Sequence, residues 1–257
     1  MREPYRSVDD ALQGLLALER QFLERRDRRA VFLTVYGMMT WETKRRIERG
    51  EWADSAWVSR CLVTFADLYR QALVAYEDGS PAAAPKAWRL SFENSAAGRL
   101  LVTQDLLLGI NAHVNHDLAL ALDQVSIEPD RALRKQDHDG VNNVLRDVID
   151  AVQQRVSEMY APGLVAVDAA LGRLDEITAL FSLEVARENA WEAAVALANA
   201  RNSIERTAVK RSLDLRSALM ARVLLAPAVS PALIAALRKI EEGAWWKCLE
   251  AARTTVA

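Results

Sequence analysis

The residues of this sequence that could do chemistry are concentrated in one segment, from Leu106 to Leu122. His113 and Asp117 are four residues apart there, so a helix would place both side chains on one face. A carboxylate beside an imidazole can fix its tautomer and stabilise the imidazolium, which is the pairing that general acid-base catalysis requires. Asn111 adds an amide that could anchor a substrate. We therefore predict a catalytic group made of His113, Asp117 and Asn111.

The rest of this segment is apolar on every side. On a helical wheel one face holds Leu107, Ile110, Val114, Leu118 and Ala121, while Leu108, Ala112, Ala119 and Leu120 keep the other faces apolar. Such a helix is expected at the centre of the fold, where polar side chains must find hydrogen bonds, ions or a wet cavity. The alternative to catalysis is therefore structural, with His113 and Asp117 only satisfying backbone groups or arginines of neighbouring helices. His116 points elsewhere and is expected at a helix surface.

A metal site is a second alternative for the same residues. A catalytic zinc site needs about three protein ligands, often with two histidines, and the chain offers only His113, His116 and His138. No glutamate stands between two helical histidines in the metalloprotease pattern. Carboxylates would have to dominate, which favours magnesium, manganese or iron. We expect no metal and no other cofactor, and a metal-dependent hydrolase remains an alternative.

Three residues outside the central segment could complete the site, and we assign Asp27, Arg187 and Trp191 to substrate binding. Each also has a plain structural interpretation. Asp27 could cap a helix. Arg187 could be an anion clamp or only a partner for Asp175 or Asp117, because a paired arginine is the usual way to bury a carboxylate.

Charge and composition limit the partners. The formal net charge is -2, so the chain has no overall field to hold nucleic acid or an anionic membrane surface. No apolar run has the length of a membrane span or the form of a secretory signal, and Cys61 and Cys248 lie in apolar helical patterns, so we expect a cytoplasmic protein.

Lysines are six of the 33 basic residues, which suggests a GC-rich bacterial genome. Trp245 and Trp246 cannot both face inward, so a homodimer is also considered.

Apolar spacing of three and four residues runs from end to end, so we predict an all-α fold, a single domain over residues 1–257 with nine to eleven helices. Ser7 and either Asp54 or Ser55 are suited to cap two of them. Residues 126–140 are predicted to form a surface loop, because they are the most polar stretch and contain Pro129. The predicted helices span residues 8–26, 28–38, 40–50, 55–78, 96–125, 141–160, 164–181, 183–201, 204–225 and 231–254, with a short segment around Trp88 and Phe92.

Three segments resemble an uncharacterised bacterial family, common in actinobacteria and known only as a domain of unknown function. They are Arg26 to Thr40 (RDRRAVFLTVYGMMT), Gly109 to Leu122 (GINAHVNHDLALAL) and Ala186 to Ala193 (ARENAWEA). The resemblance covers Phe22 to Pro227 and implies no reaction. It implies that the family pattern includes Asp27, Asn111, His113, Asp117, Arg187 and Trp191, and that His116 is variable. A weaker likeness to helical zinc phospholipases and nucleases rests on the His-Asp spacing alone, and the missing histidines count against it.

The function that we predict is an enzyme acting on a small organic molecule in a helix-lined pocket. His113 would be the acid-base residue, Asp117 its orienter and Asn111 a polar anchor. A cyclase, isomerase, lyase or hydrolase would each fit these roles. The alternative is a noncatalytic ligand-binding or interaction protein with a structural polar network. A cavity that reaches His113 would favour the enzyme.

Overall fold

Helices make up the regular structure of the described chain, which confirms the all-α prediction. The structure is a computed structural model that describes residues 3–160, 183–226, 232 and 234–243. Within these residues there is no strand. Nine α-helices are defined in them: α1 (Val8–Glu24), α2 (Ala30–Glu48), α3 (Ser55–Glu77), α4 (Lys86–Ala96), α5 (Val102–Ala112), α6 (Leu118–Val125), α7 (Arg131–Tyr160), α8 (Leu183–Asn199) and α9 (Ser203–Leu225). Residues 234–243 are also helical.

Side-chain caps fix where several helices begin. Ser7 accepts a hydrogen bond from the Asp10 backbone N–H at the start of α1, as its position in the sequence predicts. Asp54 does the same for Trp57 at the start of α3, with an N–O distance of 2.8 Å. Asp137 on α7 also binds this end of α3, because its two oxygens accept the Ala53 and Asp54 N–H groups at 2.8 and 2.7 Å.

The central element is one continuous helical rod, formed by α5, a π-helical turn over His113–Asp117, and α6. It packs against α2, α3, α4, α8 and α9, which confirms its predicted central position. It begins at Val102 instead of residue 96, because α4 extends to Ala96. Gly109 allows α2 to approach closely, since a Cβ there would lie 2.6 Å from the Phe32 ring.

Two further predicted boundaries are wrong. The helices predicted over 28–38 and 40–50 are one helix, α2, and Thr40 lies inside it as a buried residue. Threonine favours a cap in isolation, but here both halves of α2 pack against core clusters, the first with Phe32 and Tyr36 and the second with Met39 and Ile47, and tertiary packing outweighs that preference.

The loop predicted over 126–140 is the second error, because α7 already begins at Arg131. Polar residues of this stretch are held by tertiary contacts that the sequence does not reveal. His138 and Asp137 are buried, and Gly140 lies inside the helix, where a Cβ would be 3.1 Å from the Trp52 ring. The helix predicted over 164–181, Asp175 and most of the helix predicted over 231–254 lie outside the described residues.

Candidate functional site

The polar residues of the central rod lie in its π-helical turn. The Leu118 N–H donates to the carbonyl of His113, five residues back, so the turn is wider than an α-helical one. Insertions of this kind occur frequently at functional sites. The wider turn changes which side chains face one another. The rule that residues four apart share one face of an α-helix therefore does not apply within it.

Asp117 is the centre of a buried hydrogen-bonded group. Trp88 Nε1 donates to Asp117 Oδ2 at 2.6 Å, and His116 Nδ1 lies 2.7 Å from Oδ1. His113 Nδ1 is 3.6 Å from Oδ2. Burial alone would raise the pKa of Asp117, but its interactions with His113 and His116 outweigh burial and lower the pKa below its ordinary value. Asp117 is therefore an ionised carboxylate, and His116 must donate to it from Nδ1.

His116 is placed differently from the sequence prediction. It was expected at a helix surface, but it is 7% exposed and bonded to Asp117. The physical reason is the π turn, which rotates the residues after His113 relative to an α-helix. Nothing in the α-helical wheel of this segment signals that rotation.

His113 is enclosed by aromatic rings. Its imidazole stacks on Phe65 with ring centroids 3.4 Å apart, and the edge contact with Tyr36 brings the centroids to 4.3 Å. Burial lowers the pKa of His113 and Asp117 opposes that shift, so the ring is neutral. Neither ring nitrogen has a hydrogen-bond partner among the residues that the structure describes. A buried polar group in this state costs about 1–3 kcal/mol.

His113 lines a cavity of about 160 Å³. The cavity lies between α2, α3, the central rod, α7 and α8, and its wall is mostly apolar, with Met39, Leu62, Phe65, Ile110, Val114 and Leu145 among the lining residues. Tyr36 and Thr40, which carry hydroxyl groups and lie one helical turn apart on α2, are also lining residues. Like the His113 nitrogens, both hydroxyls are buried without a partner in the described part of the chain. Such groups are normally satisfied by ordered water or by a ligand.

Arg187 on α8 lines the same cavity and is only 6% exposed. Its Nε donates to Asn142 Oδ1 at 2.8 Å, and its Nη2 donates to the His138 carbonyl. Burial lowers the pKa of Arg187 to about 10. No carboxylate pairs with it among the described residues, and Asp175, one predicted partner, lies outside them.

His138 and Trp191 support this end of the cavity. His138 Nε2 lies 3.1 Å from the Arg187 carbonyl, which can only accept, so Nε2 carries the proton. Burial, with the nearby Arg187 charge, lowers the pKa of His138 to about 2. The buried Trp191 ring packs on His138 with centroids 5.2 Å apart. His138, Tyr36 and Thr40 are candidate functional residues that the sequence did not single out for this site.

Two predicted site residues lie elsewhere. Asp27 accepts from the Arg29 backbone N–H at 3.0 Å and pairs with the same guanidinium, so it acts at the start of α2. Asn111 donates to the Ser217 carbonyl at 2.9 Å and accepts from Asn115 at 2.9 Å, which links the central rod to α9. Neither residue lines the cavity. His113 and Arg187 line the cavity, whereas Asp117 and Trp191 do not. Asp117 lies 3.6 Å from His113, and Trp191 packs on His138.

The described residues contain neither a cluster of metal ligands nor a membrane-crossing helix. No three of their histidine, cysteine, aspartate and glutamate side chains are grouped so as to hold a metal ion. None of their helices has the length and apolar character needed to cross a membrane.

Comparison with known proteins gives a family without a function. No curated protein and no solved structure shows significant similarity to the chain. One family model, described as "Family of unknown function (DUF5995)", matches residues 8–227. That match covers most of the 257 residues. The chain therefore belongs to the DUF5995 family.

Proposed function

We propose that the protein is an enzyme that binds a small organic molecule in the central cavity and transfers a proton through His113. The observation that carries this proposal is the state of that residue. It is a buried, neutral imidazole that lines the cavity with no hydrogen-bond partner among the described residues, and an ionised carboxylate lies behind it. A polar group kept in this condition at a cost in stability is typical of a functional site.

The geometry gives each residue a role. Asp117 lies on the Nδ1 side of His113, so it favours the tautomer with a proton on Nδ1 and leaves the lone pair of Nε2 as the base. When Nε2 takes a proton, the Asp117 charge stabilises the imidazolium. Trp88 and His116 hold Asp117 in place through its two oxygens.

Tyr36 and Thr40 supply hydroxyl groups on the same cavity wall. Burial raises the pKa of Tyr36 well above its ordinary value, so its hydroxyl stays protonated and can donate to a developing negative charge. Cys61 also lines the cavity, but burial raises the pKa of its thiol to about 12, which argues against a thiolate nucleophile. Proton transfer of the isomerase, lyase, cyclase or hydrolase type fits these residues better than covalent thiol chemistry.

A noncatalytic binding protein is the second candidate. The observation in its favour is that Asp117, the proposed orienter, makes its short hydrogen bonds to Trp88 and His116, whereas His113 is 3.6 Å away. In that case the cavity would bind a ligand and His113 would only contact it. A metal-dependent hydrolase is not favoured by any arrangement of the described residues.

Hydrogen exchange in D₂O tests the enzyme proposal without knowledge of the product. Small organic molecules that bind are first found by ligand-observed NMR, and each is then incubated with the protein in D₂O. We expect at least one to gain deuterium at carbon in a reaction that His113→Gln lowers by at least about 100-fold, as removal of a general base commonly does. Asn115→Ala, outside the cavity, is the control variant. Ligands that bind and never exchange or react would support the binding protein.

Several broader predictions accompany this proposal. We infer that the segments containing RDRRAVF and GINAHVNHDLALAL carry the family signature, and that the family is bacterial and mainly actinobacterial. A cytoplasmic location, a homodimer, and the exclusion of nucleic acid and membranes as partners also remain predictions from the sequence.

A further inference from the structure

Arg187 gives the cavity a positive charge at a definite place. It is buried, it lines the cavity, and no described carboxylate pairs with it. Its described hydrogen bonds use Nε and Nη2, toward Asn142 and the His138 carbonyl. Among the described residues, none forms a hydrogen bond with Nη1. The neutral partners hold the guanidinium in place without neutralising it. The Asp139 charge also acts on Arg187, but that carboxylate is paired with Lys135. A buried charge is costly unless it is paired.

The other charged group on the wall is already compensated. Asp137 lines the cavity, but its two oxygens accept N–H groups at the start of α3, where the helix dipole favours a negative charge. It therefore leaves the charge of Arg187 for another partner. His138 is neutral, as its lowered pKa indicates, and adds no second cation.

Helix α3 lines the cavity together with Arg187 and His113. Cys61 is close enough to Arg187 for the guanidinium charge to affect its thiol, and Phe65 stacks on His113. These two residues are four positions apart on α3, which corresponds to about 6 Å along a helix at 1.5 Å per residue. Arg187 and His113 therefore line one cavity near neighbouring turns of α3, so a single small ligand could contact both.

The size and lining of the cavity limit the size and chemistry of the ligand that Arg187 could hold. A volume of about 160 Å³ is close to that of an engineered apolar cavity of about 150 Å³ that binds benzene. The wall between the two ends is apolar, with Leu62, Ile110 and Val114 among its side chains. One uncompensated guanidinium matches one negative charge, and its planar fork fits a carboxylate.

We propose that the natural ligand is a small monocarboxylic acid with a compact apolar body, whose carboxylate binds Arg187 while its reactive end lies against His113. This inference rests on the proposed function for the role of His113. Binding of the carboxylate by Arg187 does not depend on that role and is tested separately.

Benzoate and its neutral analogue benzamide are the probes, with binding measured by calorimetry. Wild-type protein should bind benzoate at least about tenfold more tightly than benzamide, because hydrogen bonds to a charged group are the stronger ones. Arg187→Met, which keeps an unbranched apolar side chain and removes the guanidinium charge, should remove that preference and leave benzamide binding unchanged. Arg187→Lys should keep part of the preference. In wild-type protein, the ¹⁵N resonance of Arg187 should shift with benzoate and not with benzamide, a readout that remains if Arg187→Met fails to fold.

Three outcomes would overturn the proposal: equal binding of both probes, no binding of either, or a benzoate preference that persists in Arg187→Met.

An Asp175→Asn variant tests the competing interpretation that this carboxylate supplies the counter-charge of Arg187. If it does, the variant should bind benzoate much more tightly than wild type, whereas our proposal predicts little change. His113→Gln should still prefer benzoate. If that preference is found but wild-type protein exchanges a proton in no ligand, the carboxylate site stands and the catalytic role of His113 is rejected.

Discussion

His116 and His113 share the carboxylate of Asp117, but unequally: His116 Nδ1 is 2.7 Å from one oxygen and His113 Nδ1 is 3.6 Å from the other. The shorter bond holds the carboxylate, and the longer approach leaves His113 free of a close hydrogen bond in the described structure. Asp117 thus connects a structural histidine to the histidine that lines the cavity.

Loss of the Asp117 carboxylate should destabilise the fold. Asp117→Ala would leave Trp88 and His116 without an acceptor in a buried position, and breaking such a pair costs about 3–5 kcal/mol. Asp117→Asn keeps the shape and one acceptor oxygen, so we expect a smaller loss. Urea unfolding of the two variants measures the difference. A change below about 1 kcal/mol for Asp117→Ala would contradict the hydrogen-bonded arrangement described for this site.

Stability should fall as the pH drops below about 6.5, the ordinary pKa of histidine. Burial lowers the folded pKa of His113, and it lowers that of His138 to about 2. The unfolded chain then binds more protons than the folded protein below about 6.5, so the free energy of unfolding decreases with decreasing pH. Asp117 adds to this loss of stability only in stronger acid. Its folded pKa is lowered, so the stability that its ionised form contributes is complete above about 3.9, the ordinary pKa of aspartate.

Urea unfolding at about pH 7 and about pH 5 tests that pH dependence. His138→Gln should reduce the difference between the two conditions, because the remaining groups titrate in both proteins. Leu118→Ala is the control and should lower stability equally at both pH values. A difference that is the same in wild type and His138→Gln would show that His138 is not a buried neutral group.

The sequence predicted more of the fold than of the site. Periodicity located the central rod and its apolar faces, and cap chemistry located the starts of α1 and α3 at Ser7 and Asp54. The cavity could not be predicted, because Tyr36, Thr40 and His138 come to it from α2 and α7 through tertiary packing. The π turn was also beyond prediction, since an α-helical period leaves no sign of one extra residue in a turn.

Two polar residues show the same limit within one rod. Asn111 and His113 are two positions apart in a pattern that favours a shared site, yet Asn111 binds Ser217 on α9 and His113 lines the cavity. A wheel places the two side chains on different faces but does not say what covers each face. Only the packing of α2, α3 and α9 around the rod decides that.

Gly109 should be required to keep Phe32 in place beside His113. A Cβ at Gly109 would lie 2.6 Å from the Phe32 ring, which packs edge-on against the His113 imidazole with centroids 5.5 Å apart. Gly109→Ala should therefore cost about 1–3 kcal/mol through overpacking. Gly37→Ala is a matched control within α2, because its nearest neighbour is the flexible end of Leu16 at 3.2 Å. Thermal unfolding compares the two, and an equal effect would contradict the close approach of α2 to α5.

The most direct test of a functional His113 that needs no substrate is the free energy of unfolding of His113→Gln, measured beside that of Leu118→Ala. Leu118 is a buried neighbour on the same rod, and its truncation should cost about 2–5 kcal/mol. If His113 is kept for chemistry, His113→Gln should lower stability by much less than Leu118→Ala does, or increase it. The imidazole nitrogens have no partner to lose among the described residues, and the loss is confined to ring contacts such as those with Phe65 and Tyr36. A loss as large as that of Leu118→Ala would contradict the account and make His113 a structural part of the core.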